Sequence, residues 1–207
     1  MALVKYNNNS ISAITAASGL TAGAMTLIKS QTASSSATIS FVDGTSDVVL
    51  DNTYPIYMFK FINIHPATNQ TKFEFNMSID SGSNYNVTKT TTNFRAYHEE
   101  SGSSAALGYH GDEDLAQATG FQSLGYDIGN GNDESASGSL HLFNPSSTTF
   151  VKHFIAICHQ YNSGDYAVTS HIAGYGNTTS AVDAIQFKMS SGNIDSGTIK
   201  LYGIKDS

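Results

Sequence analysis

The segment from Asp183 to Ile204 constrains the fold most. Ile185 to Met189 and Thr198 to Ile204 alternate apolar and polar residues around a Ser/Gly/Asn/Asp corner. That period of two is the mark of a half-buried strand. A strand at this place takes its ladder from residues earlier in the chain, because an unpaired row of N–H and C=O groups is costly to bury. The pattern predicts a closed all-β domain whose core includes the C-terminal residues, with these two segments as its closing strand pair.

Upstream, the same alternation recurs between polar turns. Met25 to Gln31 reads as a first strand, and Ser36 to Val42 puts Ala37, Ile39 and Phe41 on one face. Asp43-Gly44 follows as a turn, since glycine reaches positive φ without steric cost. Tyr54 to His65 is long and apolar on both faces, as expected of a central strand, with Pro55 tolerated only at its start. Lys72 to Ile79 places Phe73, Phe75, Met77 and Ile79 together, and with its predecessor reads as a β-meander. Ser137 to Phe143, Phe150 to Cys158, Val168 to Tyr175, Val182 to Met189 and Thr198 to Ile204 complete a set of about nine to ten strands. Residues 80–135 break the pattern with Ser-, Thr-, Gly- and Asp-rich stretches and read as a loop-rich insertion, in which Asp112 to Gln117 begins a short helix. Residues 1–22 read as an N-terminal arm, with two helical turns over Ile11 to Ser18 ended by Gly19. The expectation is an antiparallel, jelly-roll-like β-sandwich over residues 23–207, with no interdomain linker.

Composition narrows the function. Charged residues are 13% of the chain, about half the usual share. In their place stand 28 serines, 20 threonines and 16 asparagines. Short polar side chains lose little entropy when pinned at a contact, so this surface suits packing into assemblies. A net charge of −7 and a single arginine, Arg95, argue against nucleic acid as a partner. No apolar run approaches the length of a membrane span, and the first residues lack the apolar stretch of a signal peptide. The Asn-x-Ser/Thr triplets at Asn76, Asn86 and Asn177 then read as chance in an Asn- and Thr-rich chain.

The residues that carry chemistry are sparse. Cys158 is the only cysteine and lies in an apolar strand, as a small core residue does. His65, His98, His110, His141, His153, His159 and His171 show no metal-ligand spacing. His98, Glu99 and Glu100 with His110, Asp112, Glu113 and Asp114 form the densest ionisable cluster, read as a solvated loop pair rather than a divalent-ion site. Asp127 to Glu134 has the composition of a calcium loop without its spacing and reads as an Asn/Gly turn. There is no nucleophile elbow, P-loop or dinucleotide fingerprint. Tryptophan is absent, which weakens lectin and glycosidase readings, although tyrosine can stack on sugars in its place. Tyr97, Tyr109, Tyr126, Tyr161, Tyr166 and Tyr175 lie in or near loops and could form a sugar or protein contact surface. No catalytic residue, cofactor or metal ligand is assigned.

Met1–Asn7, Tyr57–Pro66, Asp80–Asn86, Phe143–Phe150 and Ser190–Ile204 carry a resemblance to a family of small virion structural proteins from marine tailed phages, including phages of cyanobacteria. The resemblance runs over most of the chain, is weakest in residues 98–136, and is most specific in the final segment. It implies a non-enzymatic virion protein, a capsid decoration or cement protein on the outer shell. Its implied partners are the major capsid protein or other virion proteins and its own copies, a trimer among the options. A tail-associated fibre or receptor-binding protein that contacts glycans is the second reading. An enzyme such as a glycan hydrolase, which needs two facing carboxylates in a cleft, is the third.

Overall fold

The computed structural model describes residues 24–205; the expected N-terminal arm lies outside the described residues. Twelve strands follow one another: β1 (Met25–Ser36), β2 (Thr38–Val42), β3 (Ile56–Pro66), β4 (Thr71–Ser78), β5 (Lys89–Glu99), β6 (Ala105–Tyr109), β7 (Gln122–Ile128), β8 (Ala136–Phe143), β9 (Lys152–Asn162), β10 (Tyr166–Gly176), β11 (Ala184–Met189) and β12 (Ile194–Ile204). Every ladder is antiparallel, and no helix forms among the described residues.

The strands join in the order β1-β12-β3-β8-β9-β7-β4-β11-β2. The two ends of this path are consecutive in the chain, separated only by Ala37, so the sheet is nearly closed and barrel-like. It is pinched where β9 meets β7, which touch through one pair, Ile128 and Asn162. Beyond β9 the sheet continues through β10, β5 and β6 as a wing.

The all-β, antiparallel expectation holds. Tyr54 to His65 lies between two neighbours, β12 and β8, as its two apolar faces require. Four expectations are corrected. The C-terminal segments do not pair with each other: β11 pairs with β2 and β4, β12 with β1 and β3. The corner at Ser190–Asn193 therefore crosses the core. β3 and β4 likewise form no meander, because β4 joins β11 and β7. The strands number twelve, because β5, β6 and β7 lie inside residues 80–135. Nor does Asp112 to Gln117 start a helix. It runs beside β5, where Thr91 N–H donates to Leu115 O (2.8 Å), Leu115 N–H donates to Thr91 Oγ1 (2.8 Å), and Lys89 bridges Ala118.

Inward residues of both halves of the path meet in one core. Phe59 and Phe61 of β3 face Phe73 and Phe75 of β4, Phe41 of β2 and Phe187 of β11, all essentially without exposure. Leu140, Leu142, Phe154 and Cys158 extend it along β8 and β9. Cys158 is the small core residue expected; burial pushes its thiol up to about 12, which leaves it in the unreactive protonated form.

Lys89, like Lys152, is a lysine buried without exposure in the interior. Its ammonium is fully buried, donates to Asn76 Oδ1 and to Val87 O (2.8 Å), and pairs with no carboxylate. Asn76 in turn donates to Tyr85 O (2.7 Å) and Thr119 O (2.9 Å). A fully buried, bonded Asn76 is a structural residue, which agrees with reading its triplet as chance. Burial lowers the Lys89 ammonium to about 7. Unfolded lysine titrates near 10.4, so between pH 7 and 10.4 the unfolded chain holds the extra proton. Stability then rises with pH across that window and is flat in this respect below it. The wild type should gain on the order of 2–3 kcal/mol over Lys89→Met between pH 7 and 9.5. Urea unfolding of both chains at the two pH values checks this; parallel changes would exclude it.

Candidate functional site

The larger part of the sheet, β1-β12-β3-β8-β9-β10-β5-β6, has an outward face poor in carboxylates. β1, β3, β6, β8, β9 and β10 contain no aspartate or glutamate, and β5 and β12 carry one each, Glu99 and Asp195, in a chain with 17 acidic residues. Paired residues share a face, so the register lays out rows across the sheet. One row runs Tyr109, Phe94, His171, Ile157, Ser139, Lys60, Lys200. The next runs Thr92, Ala173, Ile155, His141, Met58, Tyr202, Leu27. Leu107 is 73% exposed, Tyr109 61% and Ile155 50%, with Ile157, Phe94 and Leu27 similar. The Phe94 ring stacks on His171 at 4.9 Å with an interplanar angle of 2°. A shallow groove lined by Thr92, Phe143, His153, Ile155, Ala173 and Tyr175 runs along this face. The wing also ends on β6, five uncharged residues without proline or bulge. That edge lacks the devices that normally block strand addition.

Behind the wing the pattern inverts. β5 turns Asn93, Arg95 and Tyr97 inward and Phe94, Ala96 and His98 outward. Arg95, Tyr97, Ser104, Tyr126, Asp127, Asn162, Tyr166 and Val168 line a cleft of about 260 Å³ between the wing and β7. The Arg95 guanidinium lies 4.8 Å from the centre of the Tyr126 ring and 5.4 Å from that of Tyr97. Among the described residues it forms no ion pair; the two that occur are Lys72–Glu113 (2.6 Å) and Lys188–Glu74 (3.8 Å). Tyr97 and Tyr166 meet edge to face at 5.7 Å. Burial raises the Tyr126 hydroxyl above the ordinary tyrosine value, with Arg95 partly offsetting it. Asn93 Oδ1, Ser170 Oγ and His110 Nδ1 are buried without a partner. Ser170 lies opposite Arg95 in the ladder, Asn93 is two residues from Arg95 on the same face, and His110 packs on Tyr126 at 4.5 Å.

The ionisable cluster read from the sequence does not assemble. His98 points outward on β5, opposite Ala105 and Ala167. His110 follows outward-facing Tyr109 and so turns inward, where burial holds it below the ordinary histidine value. Glu113 is buried against Lys72, and Asp114 accepts from Tyr109 OH. Among the described residues no three His, Cys, Asp or Glu side chains gather as metal ligands do. In the Asp127–Glu134 stretch, Glu134 folds back to accept the Gly131 N–H, and Asn130 bonds to Asn69 and Ala67, as turn chemistry dictates. Of the six tyrosines, Tyr97, Tyr126 and Tyr166 meet in the cleft. Tyr109 and Tyr175 lie on the outward face, and Tyr161 bonds to Asp165. Arg95 is the residue whose role the sequence hid: only the inverted alternation of Asn93 to His98 marks it as inward-facing. No family model, curated protein or solved structure matches the chain.

Proposed function

We propose that the chain is a non-enzymatic virion structural protein, a capsid decoration or cement protein that docks on the outer shell through the outward face of the larger part of its sheet. The observation that carries this is a carboxylate-poor, partly apolar surface on which six of the eight strands contain no acidic residue. Scattered apolar residues are ordinary on a monomer, but a contiguous face of them marks an interaction site. Its charges are mainly lysines such as Lys60 and Lys200, so it suits a shell surface that supplies carboxylates to pair with them. The resemblance to phage virion proteins read from segments such as Ser190–Ile204, and the low overall charge, point the same way.

The order of strands supports the finer fold reading. β1-β12-β3-β8 and β2-β11-β4-β7 are two four-stranded runs in which first pairs with last and the connections nest, the pattern of a jelly roll. On that reading β5–β6 and β9–β10 are two hairpins inserted into the eight-stranded core to build the wing. Jelly rolls recur in capsid and lectin domains, so the architecture suits the role. The partners are the major capsid protein and further copies of the chain, a trimer included. Repetition over a shell multiplies weak contacts by avidity. A tail-associated, glycan-contacting role is the second reading, favoured by the Arg95 cleft.

Mass spectrometry and antibody labelling of purified particles test both readings. The protein on the shell supports decoration, the protein at the tail supports the second reading, and absence from mature particles defeats the virion role. On shells, the double substitution Ile155→Glu and Ile157→Glu should weaken binding at least tenfold, roughly what two well-placed interface residues supply. Both side chains are solvent-exposed, so the melting temperature should stay within a few degrees. Unchanged shell binding would remove this face from the interface.

A further inference from the structure

The cleft behind the wing has the parts of a built recognition site. A lone arginine with no carboxylate partner is held by two aromatic faces, so its planar fork is pre-organised rather than free to wander. Asn162 accepts the Gly164 N–H through Oδ1 (2.9 Å), which leaves its amide N–H groups to donate. Asp127, set on a left-handed backbone at φ 49°, brings an acceptor to the opposite wall without pairing to Arg95. The unpartnered Asn93 Oδ1 and Ser170 Oγ lie beside Arg95 on its own face, so hydrogen-bonding capacity there is unused.

These groups sort by chemistry. A guanidinium fork matches a carboxylate in two parallel hydrogen bonds. Tyr166, set at 76° to Tyr97 and carrying no cation over its ring, offers a free aromatic face. Aspartate and asparagine accept from and donate to neighbouring hydroxyls. A volume of about 260 Å³ lies below the range of clefts that take larger ligands, and suits one ring. We propose that this cleft binds a single acidic sugar ring of the uronic acid type, with its carboxylate on Arg95, its ring against Tyr166 and its hydroxyls on Asp127 and Asn162. The site belongs to the chain itself and holds wherever in a particle the chain is placed.

Titration of the isolated chain with glucuronic acid, glucose and acetate, followed by saturation-transfer NMR, tests it. Glucuronic acid should saturate the site. Glucose and acetate should each bind at least about tenfold more weakly, since each lacks one half of the recognition. Arg95→Lys keeps the charge but loses the fork, and should cost about tenfold. Tyr166→Ala should weaken binding by a similar factor of about ten through lost stacking. Tyr166 is partly exposed, so this variant keeps the test sound even if the Arg95 change disturbs folding. Glucose binding as tightly as glucuronic acid, acetate doing the same, equal affinity in both variants, or no saturation by about 50 mM each overturns the proposal.

Discussion

Phe187→Ala should lower the unfolding free energy by about 3–5 kcal/mol, the range for emptying a fully buried phenylalanine site. Phe187 is the hub of the core. Its ring centre lies 5.2 Å from Phe61, 5.3 Å from Phe59, 5.8 Å from Phe73, and 6.3 Å from both Phe41 and Phe75. These five rings come from β2, β3 and β4, so one side chain ties both halves of the path together. Their rigid aromatic shapes and opposed backbones leave little room to collapse into the vacated space, which places the expected loss toward the upper end. For a domain of this size it corresponds to a fall of about 10 °C or more in melting temperature. Phe94→Ala is the control. That ring is 45% exposed on the outward face, and its loss should cost little stability. Calorimetry on both variants decides; comparable losses would mean that the core is not organised around Phe187.

The contrast between those two phenylalanines also explains what sequence reading could and could not see. Phe187 obeys the ordinary rule: Ile185, Phe187 and Met189 alternate with polar residues and are buried. So do Phe73, Phe75 and Met77, and every strand built that way was legible. Phe94 breaks the rule. In β5 the polar residues Lys89, Thr91 and Asn93 are buried while Phe94 faces solvent. The wing has a polar interior, satisfied in part by bonds such as Thr91 Oγ1 to Gln122 Oε1 (2.6 Å), and an apolar exterior. A pattern search that seeks apolar-in alternation finds only loop there. β6 has no buried residue at all, so nothing in its pattern marks a strand. Pairing was illegible for a different reason: alternation gives a strand its faces but not its neighbours. The short links Ala67–Gln70 and Ser190–Asn193 look like hairpin turns, yet both cross the core. Arg95 was passed over because a single arginine forms no cluster. Its partners, Tyr126 and Asn162, join it only through the docking of β7 and β9.

Ending the chain at Gly197 should abolish cooperative folding altogether. The loss removes Thr198 to Ile204, the greater part of β12. Ile199 and Leu201 leave the core with no exposure in the intact chain. β1 pairs only with β12, so β1 loses its ladder from Met25 to Thr32, and β3 loses this neighbour from Ile56 to Ile62. Each backbone group left unpaired against the core carries a desolvation cost of about 1–3 kcal/mol. Several of these together exceed the 5–15 kcal/mol by which such domains are stable. The shortened chain should therefore show no sharp thermal transition, lose its near-ultraviolet dichroism and gather in the insoluble fraction. Replacing Ala105–Tyr109 with a Gly/Ser linker is the matched control. It removes the other end of the sheet, where β6 touches only β5 and buries nothing. That variant should fold with a melting temperature close to the parent. If instead the chain ending at Gly197 melted cooperatively, β12 would be an ornament on a core complete without it. The buried Ile199 and Leu201 and the dependence of β1 on this single partner argue against that.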